Sequence, residues 1–270
     1  MNRNVSIGQY YPGNSVLHRM DPRIKIVLSL LFMVSAILSN TWMEFLTLSV
    51  FTIIMVTASK IPFKTVARST KPIIPLILFA AVVNAFAVTG TPIFQIWIFA
   101  PTYEGLYLAG ALTARIFLII VGGSSLLIFT TTPIVLTDGI ERLLGPLKKL
   151  RVPVHEIAMM MTIALRFIPT LIDEADKIMK AQASRGADFN EGKLMDRVKS
   201  FIPIIVPLFV SAFRRADELA NAMEARCYRG DEGRTKLRQL KISKIDINAM
   251  LIFMIFFGSF IIIKLSLEAS

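Results

Sequence analysis

Two arginines at matching places in a duplicated helical pattern are the residues of this 270-residue chain best placed to do chemistry. The first copy reads Ala175-Asp176-Lys177-Ile178-Met179-Lys180-Ala181-Gln182-Ala183-Ser184-Arg185-Gly186, and the second Ala216-Asp217-Glu218-Leu219-Ala220-Asn221-Ala222-Met223-Glu224-Ala225-Arg226-Cys227. At a constant offset both start with Ala-Asp, carry an aliphatic residue next but one and an Ala midway, and reach an Arg near the end. Each follows an apolar run with a proline, Phe167-Ile168-Pro169 in one case and Phe201-Ile202-Pro203 in the other. A guanidinium at a helix C-terminus complements the negative end of the macrodipole and offers a planar, five-donor fork to a partner. The chemistry this suggests is recognition. The bland alternative is an Arg that caps its own helix carbonyls. Recurrence at a fixed place, small neighbours that leave room for a partner's surface, and a long apolar root on each helix favour docking. The docking set is Ala183, Ser184, Arg185 and Gly186 in one copy, with Ala225, Arg226 and Cys227 in the other.

Other chemistries find little support. No Gly-x-x-x-x-Gly-Lys-Ser/Thr phosphate cradle occurs, so ATP hydrolysis is not expected of this chain. His18 and His155 stand far apart, outside any metal-ligand pattern, and no cofactor is expected. Asp173-Glu174-Ala175-Asp176 reads as the polar face of a helix ahead of an acid-base pair. Asn84 and Arg115 fall inside apolar runs. An intramembrane charge costs at least ~2.5 kcal/mol near a helix centre unless satisfied, so it is a functional candidate by default. The structural reading comes first: Arg115 is expected to hydrogen-bond Asn84 or Glu104 between neighbouring spans. Met159-Met160-Met161 and Met179 suit a surface that re-packs. The single cysteine, Cys227, excludes an intrachain disulfide.

The elements that must position these residues belong to a membrane protein. Hydrophobic residues make up 54% of the chain, mean hydropathy is +0.61, and the net charge is +11. Apolar spans joined by basic segments explain that combination, with lipid as the surrounding medium. Nucleic acid is not an expected partner, because no basic stripe with interleaved aromatics stands apart from the apolar runs. The first ~20 residues, broken by Pro12 and Gly13, do not make a cleavable signal peptide. Spans are expected at about 24–38, 42–58, 72–88, 105–129 and 247–263, the first slightly short of the ~20 residues that a bilayer core requires. Lys and Arg cluster at the N-terminus and from Lys60 to Lys71, whereas Ser39–Thr41 and Thr89–Glu104 have none. The positive-inside rule then puts the N-terminus in the cytoplasm and those two corners outside. Gly110, Ala114 and Gly122-Gly123 form a small-residue surface for close helix contact, within the chain or with another membrane protein.

Between Pro133 and Lys244 the text changes, with twenty Lys/Arg and fourteen Asp/Glu at mixed-sign helical spacing. A short helix stops at Gly145-Pro146. Val154–Gly186 and Phe201–Tyr228 read as long helices with prolines at 169, 203 and 207, joined by a surface turn over Ala187–Lys199. Their apolar parts, Ile157–Ile172 and Phe201–Phe213, are expected to be buried helices beneath the spans. The fold class expected is an all-α integral membrane protein with about five transmembrane helices and a cytoplasmic coupling domain of long amphipathic helices. The domains are 1–132, 133–245 and 246–270.

Ala181-Gln182-Ala183-Ser184-Arg185-Gly186 and Ala222-Met223-Glu224-Ala225-Arg226-Cys227-Tyr228-Arg229-Gly230 resemble the two Ala-Arg-Gly signatures of the transmembrane coupling subunit (T component) of energy-coupling factor transporters. Thr130-Thr131-Thr132-Pro133, Leu144-Gly145-Pro146-Leu147 and Ala164-Leu165-Arg166-Phe167-Ile168-Pro169 support the likeness. The resemblance implies a non-catalytic subunit of a four-part importer in a prokaryotic plasma membrane. Its partners would be two cytoplasmic ABC-type ATPases and a small membrane protein (S component) that captures a vitamin or metal ion. Arg185 and Arg226 match the signature arginines that sit in grooves of the ATPases. The capture protein would meet the apolar faces that carry Met159, Met160, Ile163, Phe167, Phe201, Ile205 and Phe209. One departure stands out. Cys227 replaces the usual Gly, and since Cys resists left-handed backbone angles, the second helix is expected to continue through it, making the two ends unlike. Two other function classes are a self-sufficient channel or secondary carrier lined by Arg115 and Asn84, and a membrane enzyme using Asp173–Asp176.

Overall fold

A computed structural model describes residues 10–89, 91, 102–187, 194–230, 240 and 242–268. Among the described residues ten α-helices follow one another: α1 (Val16–Arg19), α2 (Pro22–Leu38), α3 (Trp42–Ser59), α4 (Phe63–Thr70), α5 (Ile74–Ala87), α6 (Tyr103–Gly123), α7 (Pro133–Leu143), α8 (Val154–Ser184), α9 (Leu194–Ala225) and α10 (Lys244–Glu268). Short 3-10 segments at Lys71–Ile73 and Gly145–Leu150 and a π-helical turn at Ser124–Ile128 join some of them. No strand occurs among the described residues.

Local chemistry sets the ends. Pro22 opens α2 behind the Asp21 cap, whose carboxylate accepts from Arg23 N at 2.9 Å. Glu44 in the first turn of α3 reaches back to accept from Asn40 N and Thr41 N at 2.6 and 3.2 Å. Thr102 caps α6 by accepting from Gly105 N at 3.1 Å.

The chain divides into two compact units, Met1–Leu143 with Gln239–Ser270, and Leu144–Arg238. Helix α7, placed with the coupling segment on sequence, instead packs against α2 in the first unit, where Gly139 lies against Pro22 and Ile26. The core of that unit is aromatic. Phe51 stacks on Phe256 with centroids 3.9 Å apart and meets Phe253 edge-on at 5.6 Å, joining α3 to α10, while Phe32 of α2 stacks on Phe51 at 5.9 Å. Around this core Leu46, Ile54, Leu76, Phe79 and Ile255 are exposed, as expected of side chains that face lipid.

Among the described residues five helical stretches are long and apolar enough to cross a membrane by length and composition: Trp42–Ser59, Phe63–Ala87, Tyr103–Ile128, Val154–Ser184 and Lys244–Leu267. The protein is therefore an all-α membrane protein with about five such helices. The set differs from the expected one in two places. Helix α2, at 17 residues, is shorter than all five. The run 157–172, expected to lie beneath the spans, belongs to the 31-residue helix Val154–Ser184, long as expected and itself long and apolar enough to cross a membrane.

A helix of 17 residues spans about 25 Å, short of a ~30 Å hydrocarbon core, so the carbonyl end of α2 needs partners. It has three. Lys264 Nζ donates to Leu38 O at 3.2 Å, Arg115 to Ser39 O and at 3.2 Å to Asn40 Oδ1, and the Tyr107 hydroxyl to Asn40 O at 2.6 Å. This corrects the expectation for Arg115. Asn84 instead bonds Ala80 O in its own helix at 2.8 Å, and Glu104 accepts from Thr91 N at 2.9 Å. Arg115 neutralises the negative end of α2 and does not bridge to either residue.

The small-residue surface divides as well. An added Cβ at Gly122 would lie 2.2 Å from Phe32 Cε1, and at Gly123 2.5 Å from Met33 Cε, so these two glycines serve contact within the chain. Phe32 is 1% exposed and held by its ring neighbours, whereas the Met33 methyl is a flexible tip. Gly122→Val is therefore expected to destabilise by about 1–3 kcal/mol, and Gly123→Ala by well under 1 kcal/mol, in thermal unfolding of the purified chain. Gly110 has no atom within 4 Å of such a Cβ and faces open space.

Candidate docking site

Helices α8 and α9 of the second unit carry the duplicated pattern, and both end in the same way. Ser184 closes α8, and Arg185 takes the capping position at φ −89° and ψ 6°. Gly186 N donates to Ala183 O and Ala187 N to Gln182 O, each at 3.0 Å, with Gly186 at φ +87°. That is a Schellman close, with a left-handed residue just beyond the cap. At the second end Cys227 N donates to Glu224 O at 2.8 Å and Tyr228 N to Met223 O at 3.0 Å, with Cys227 at φ +53°. The expectation that Cys227 lets the helix run on is thus overturned. Helix α9 stops at Ala225, and the two ends that were expected to differ are alike. The two crossed hydrogen bonds and the exposed end outweigh a left-handed penalty of about 1–2 kcal/mol at a residue with a Cβ.

Nothing lies within 4 Å of a Cβ added at Gly186, so its glycine answers to backbone angle and not to space. Gly186→Ala is expected to cost about 1 kcal/mol at its helix end and Cys227→Gly to gain about as much. Amide exchange at Ala183–Gly186 and Met223–Tyr228 checks this, with protection changing in opposite directions by roughly five-fold.

Ala183, Ser184, Arg185, Gly186, Ala225, Arg226 and Cys227 are all exposed. Among the described residues neither Arg185 nor Arg226 has a side-chain partner. Both forks are exposed at the helix ends.

The relation between the tips comes from two contacts. Arg215 Nη2 lies 3.0 Å from Glu174 Oε2, joining α9 to α8. The Tyr228 hydroxyl just past the end of α9 donates to Met159 Sδ at 3.0 Å and lies 3.5 Å from His155 Nε2, near the start of α8. The helices are therefore antiparallel, and Arg185 and Arg226 lie at opposite ends of the pair. Glu174 and Arg215 occupy equivalent positions in the two copies, at the 41-residue offset that also relates Arg185 to Arg226. Each Arg lies eleven residues beyond its partner in that ion pair. At 1.5 Å per residue each arm is about 16 Å long, and the tips are roughly 33 Å apart. The Glu174–Arg215 bond thus lies the same number of residues from both tips.

The apolar roots form the rest of the site. Phe201, Ile205 and Phe209 of α9 are 42%, 47% and 59% exposed, and Met160 of α8 is 58% exposed. Phe209 stacks on Phe213 at 6.3 Å. These runs were expected to be buried; within this chain they are an uncovered apolar surface, the kind that marks a protein or lipid contact. Ile163 and Phe167 are half-exposed, while Met159 faces inward to hold Tyr228. Residues 194–199, expected in a surface turn, are the first turns of α9; residues 188–193 of that turn lie outside the described residues.

Sequence reading missed the ion pair and Tyr228. The signal for the first was available: Glu174 and Arg215 precede the two Ala-Asp pairs, with opposite charges at one repeat position. The carboxylate stretch Asp173–Asp176 contains one partner of that bond, a structural use.

Comparison with known proteins gives one consistent result. The family described as cobalt transport protein (CbiQ) matches residues 13–237. A protein of Ruminiclostridium cellulolyticum named energy-coupling factor transporter transmembrane protein EcfT is 57% identical over 247 residues, covering 92% of each chain. Proteins of the same name are 52% identical in Clostridium kluyveri, over 93% of each chain, and 49% identical in Bacillus subtilis, over 88% of this chain and 89% of that one.

Proposed function

The chain belongs to the CbiQ family of transmembrane components of energy-coupling factor transporters, and from that premise we propose that it couples two ABC-type ATPase subunits to a substrate-capturing membrane protein. The observation that carries this reading is the pair of exposed arginines on identical Schellman ends, equally distant from the Glu174–Arg215 bond. Two alike tips, each eleven residues from one bond, suit two partner grooves of the same kind. Residues 183–186 and 225–227 dock to the ATPases on the cytoplasmic side, where the N-terminus and the basic Lys60–Lys71 segment also lie. The exposed faces of α8 and α9, with Met160, Ile163, Phe167, Phe201, Ile205 and Phe209, meet the capture protein. That protein selects the vitamin or metal ion. ATP binding changes the spacing of the two grooves, and the helices carry the change to their apolar faces. Catalysis belongs to the partners.

Purifying the tagged full chain from its native membrane is expected to bring two ATPase subunits and one small membrane protein with it. Liposomes holding the chain alone are expected to show no flux. Flux without an ATPase would replace this reading with a self-sufficient carrier.

A further inference from the structure

The first unit has an open groove that the coupling function does not use. One part, about 450 Å³, lies between α3, α4 and α6 and is lined by Ile53, Val56, Ala67, Thr70, Ala114 and Phe117. It continues into a second part of about 870 Å³ bounded by α5 and α6, with Ile74, Ala114 and Phe117 common to both. The far end reaches Trp42 and Tyr107, whose rings meet edge-on at 6.3 Å. The groove thus runs along the spans from α4 to an exposed Trp and Tyr of the kind that gather at a membrane–water boundary.

Helix α4 closes the other end and is two-faced. Phe63, Val66, Ala67 and Thr70 recur at i, i+3, i+4 and i+7 and line the groove. Lys64, Arg68 and Lys71 recur at i, i+4 and i+7 on the adjoining face, and all three are exposed. No Asp or Glu occurs from Lys60 to Lys71, and none of the three is ion-paired among the described residues. An apolar slot at membrane depth thus opens beside three exposed cations at its mouth. Cationic sites between spans on this side of a bilayer take anionic lipid headgroups.

We propose that this groove binds one anionic phospholipid, its acyl chains along Ile53, Ile74, Ala114 and Phe117 and its phosphate against Lys64, Arg68 and Lys71. A zwitterionic lipid fills the same slot but brings its own cation to the basic face. An apolar partner helix would leave the three cations without counter-charge. Ala114 and the open space at Gly110 set the width of the slot.

The test is native mass spectrometry of the full chain, stripped of lipid in detergent and titrated with dioleoylphosphatidylglycerol or dioleoylphosphatidylcholine. One phosphatidylglycerol is expected to bind at least about ten-fold more tightly than phosphatidylcholine. The triple change K64Q/R68Q/K71Q is expected to bring the two lipids level, and Arg68→Gln alone, which leaves the apolar face of α4 intact, to reduce the preference about three-fold. Ala114→Phe, which fills the slot, is expected to weaken both lipids. Equal binding of the two lipids by the unaltered chain would overturn the proposal. So would a preference that survives the charge changes, or an Ala114→Phe chain that binds lipid normally yet loses a membrane partner on purification.

Discussion

Replacing Arg185 and Arg226 together with alanine is expected to abolish transport and to strip the ATPase subunits from the purified complex. Both side chains are exposed and lack partners among the described residues, so the fold should change by no more than about 0.5 kcal/mol. A charge-assisted contact is worth roughly 1.5–3 kcal/mol, so each single change should weaken ATPase binding about 10- to 150-fold. The double change should exceed either by a similar factor. Arg→Lys at both sites keeps the charge but loses the planar fork, and partial binding is expected. Co-purification of an intact complex by the double-alanine chain would remove the docking role. Equal arms add a stricter requirement, that the two single changes hurt to similar degrees.

The second large effect is expected at a buried polar knot in the first unit. Asp246 at the start of α10 is 1% exposed, and it accepts from Asp21 N at 2.7 Å, Ser243 N at 2.7 Å and Ser243 Oγ at 2.8 Å. Lys25 of α2, also 1% exposed, donates to Thr130 O at 3.1 Å and Thr131 Oγ1 at 2.9 Å, within the electrostatic reach of Asp246 and Asp21. Burial pushes the Asp21 carboxyl up, but the hydrogen bonds from Arg23 outweigh this and hold it below the ordinary range. Asp246→Ala leaves two backbone donors unpaired and removes one of the two carboxylates near Lys25. It is expected to cost about 3–5 kcal/mol, read as a large fall in the thermal midpoint and in yield. Adding Lys25→Met to Asp246→Ala should recover part of the loss, since removing both charges is far cheaper than removing one. A single change that costs under about 1 kcal/mol would show that the knot does not hold these helices together.

Periodic apolar runs told most of the fold, because a helix in lipid must satisfy its backbone within itself and so declares its length in the sequence. The length of α3 and the places of α6 and α10 were legible for that reason. The arginine tips were legible because duplication repeats a local pattern. What escaped were long-range pairings. Arg115 meets Ser39 and Asn40, more than seventy residues away, and no periodicity indicates which helix end an intramembrane cation will serve. Lys25, one of the basic residues clustered towards the N-terminus, turns inward to the Thr130-Thr131 corner. Cys227 was misjudged for a different reason. Intrinsic preference argues against φ +53°, but two hydrogen bonds that close the helix end decide the angle. The apolar faces of α8 and α9 read as core because sequence reports only that a face is apolar, and not which molecule covers it.

The placement of the Glu174–Arg215 bond has a mechanical consequence. With the pivot equidistant from both tips, the pair has a leverage ratio of one. A change of about 10° in the crossing angle moves each tip by roughly 3 Å at a 16 Å radius, in opposite senses. On the proposed function, neither ATPase would gain stroke or force over the other. Work delivered at one tip reaches the pivot on equal terms with work delivered at its counterpart, so the device sums two inputs and ranks neither.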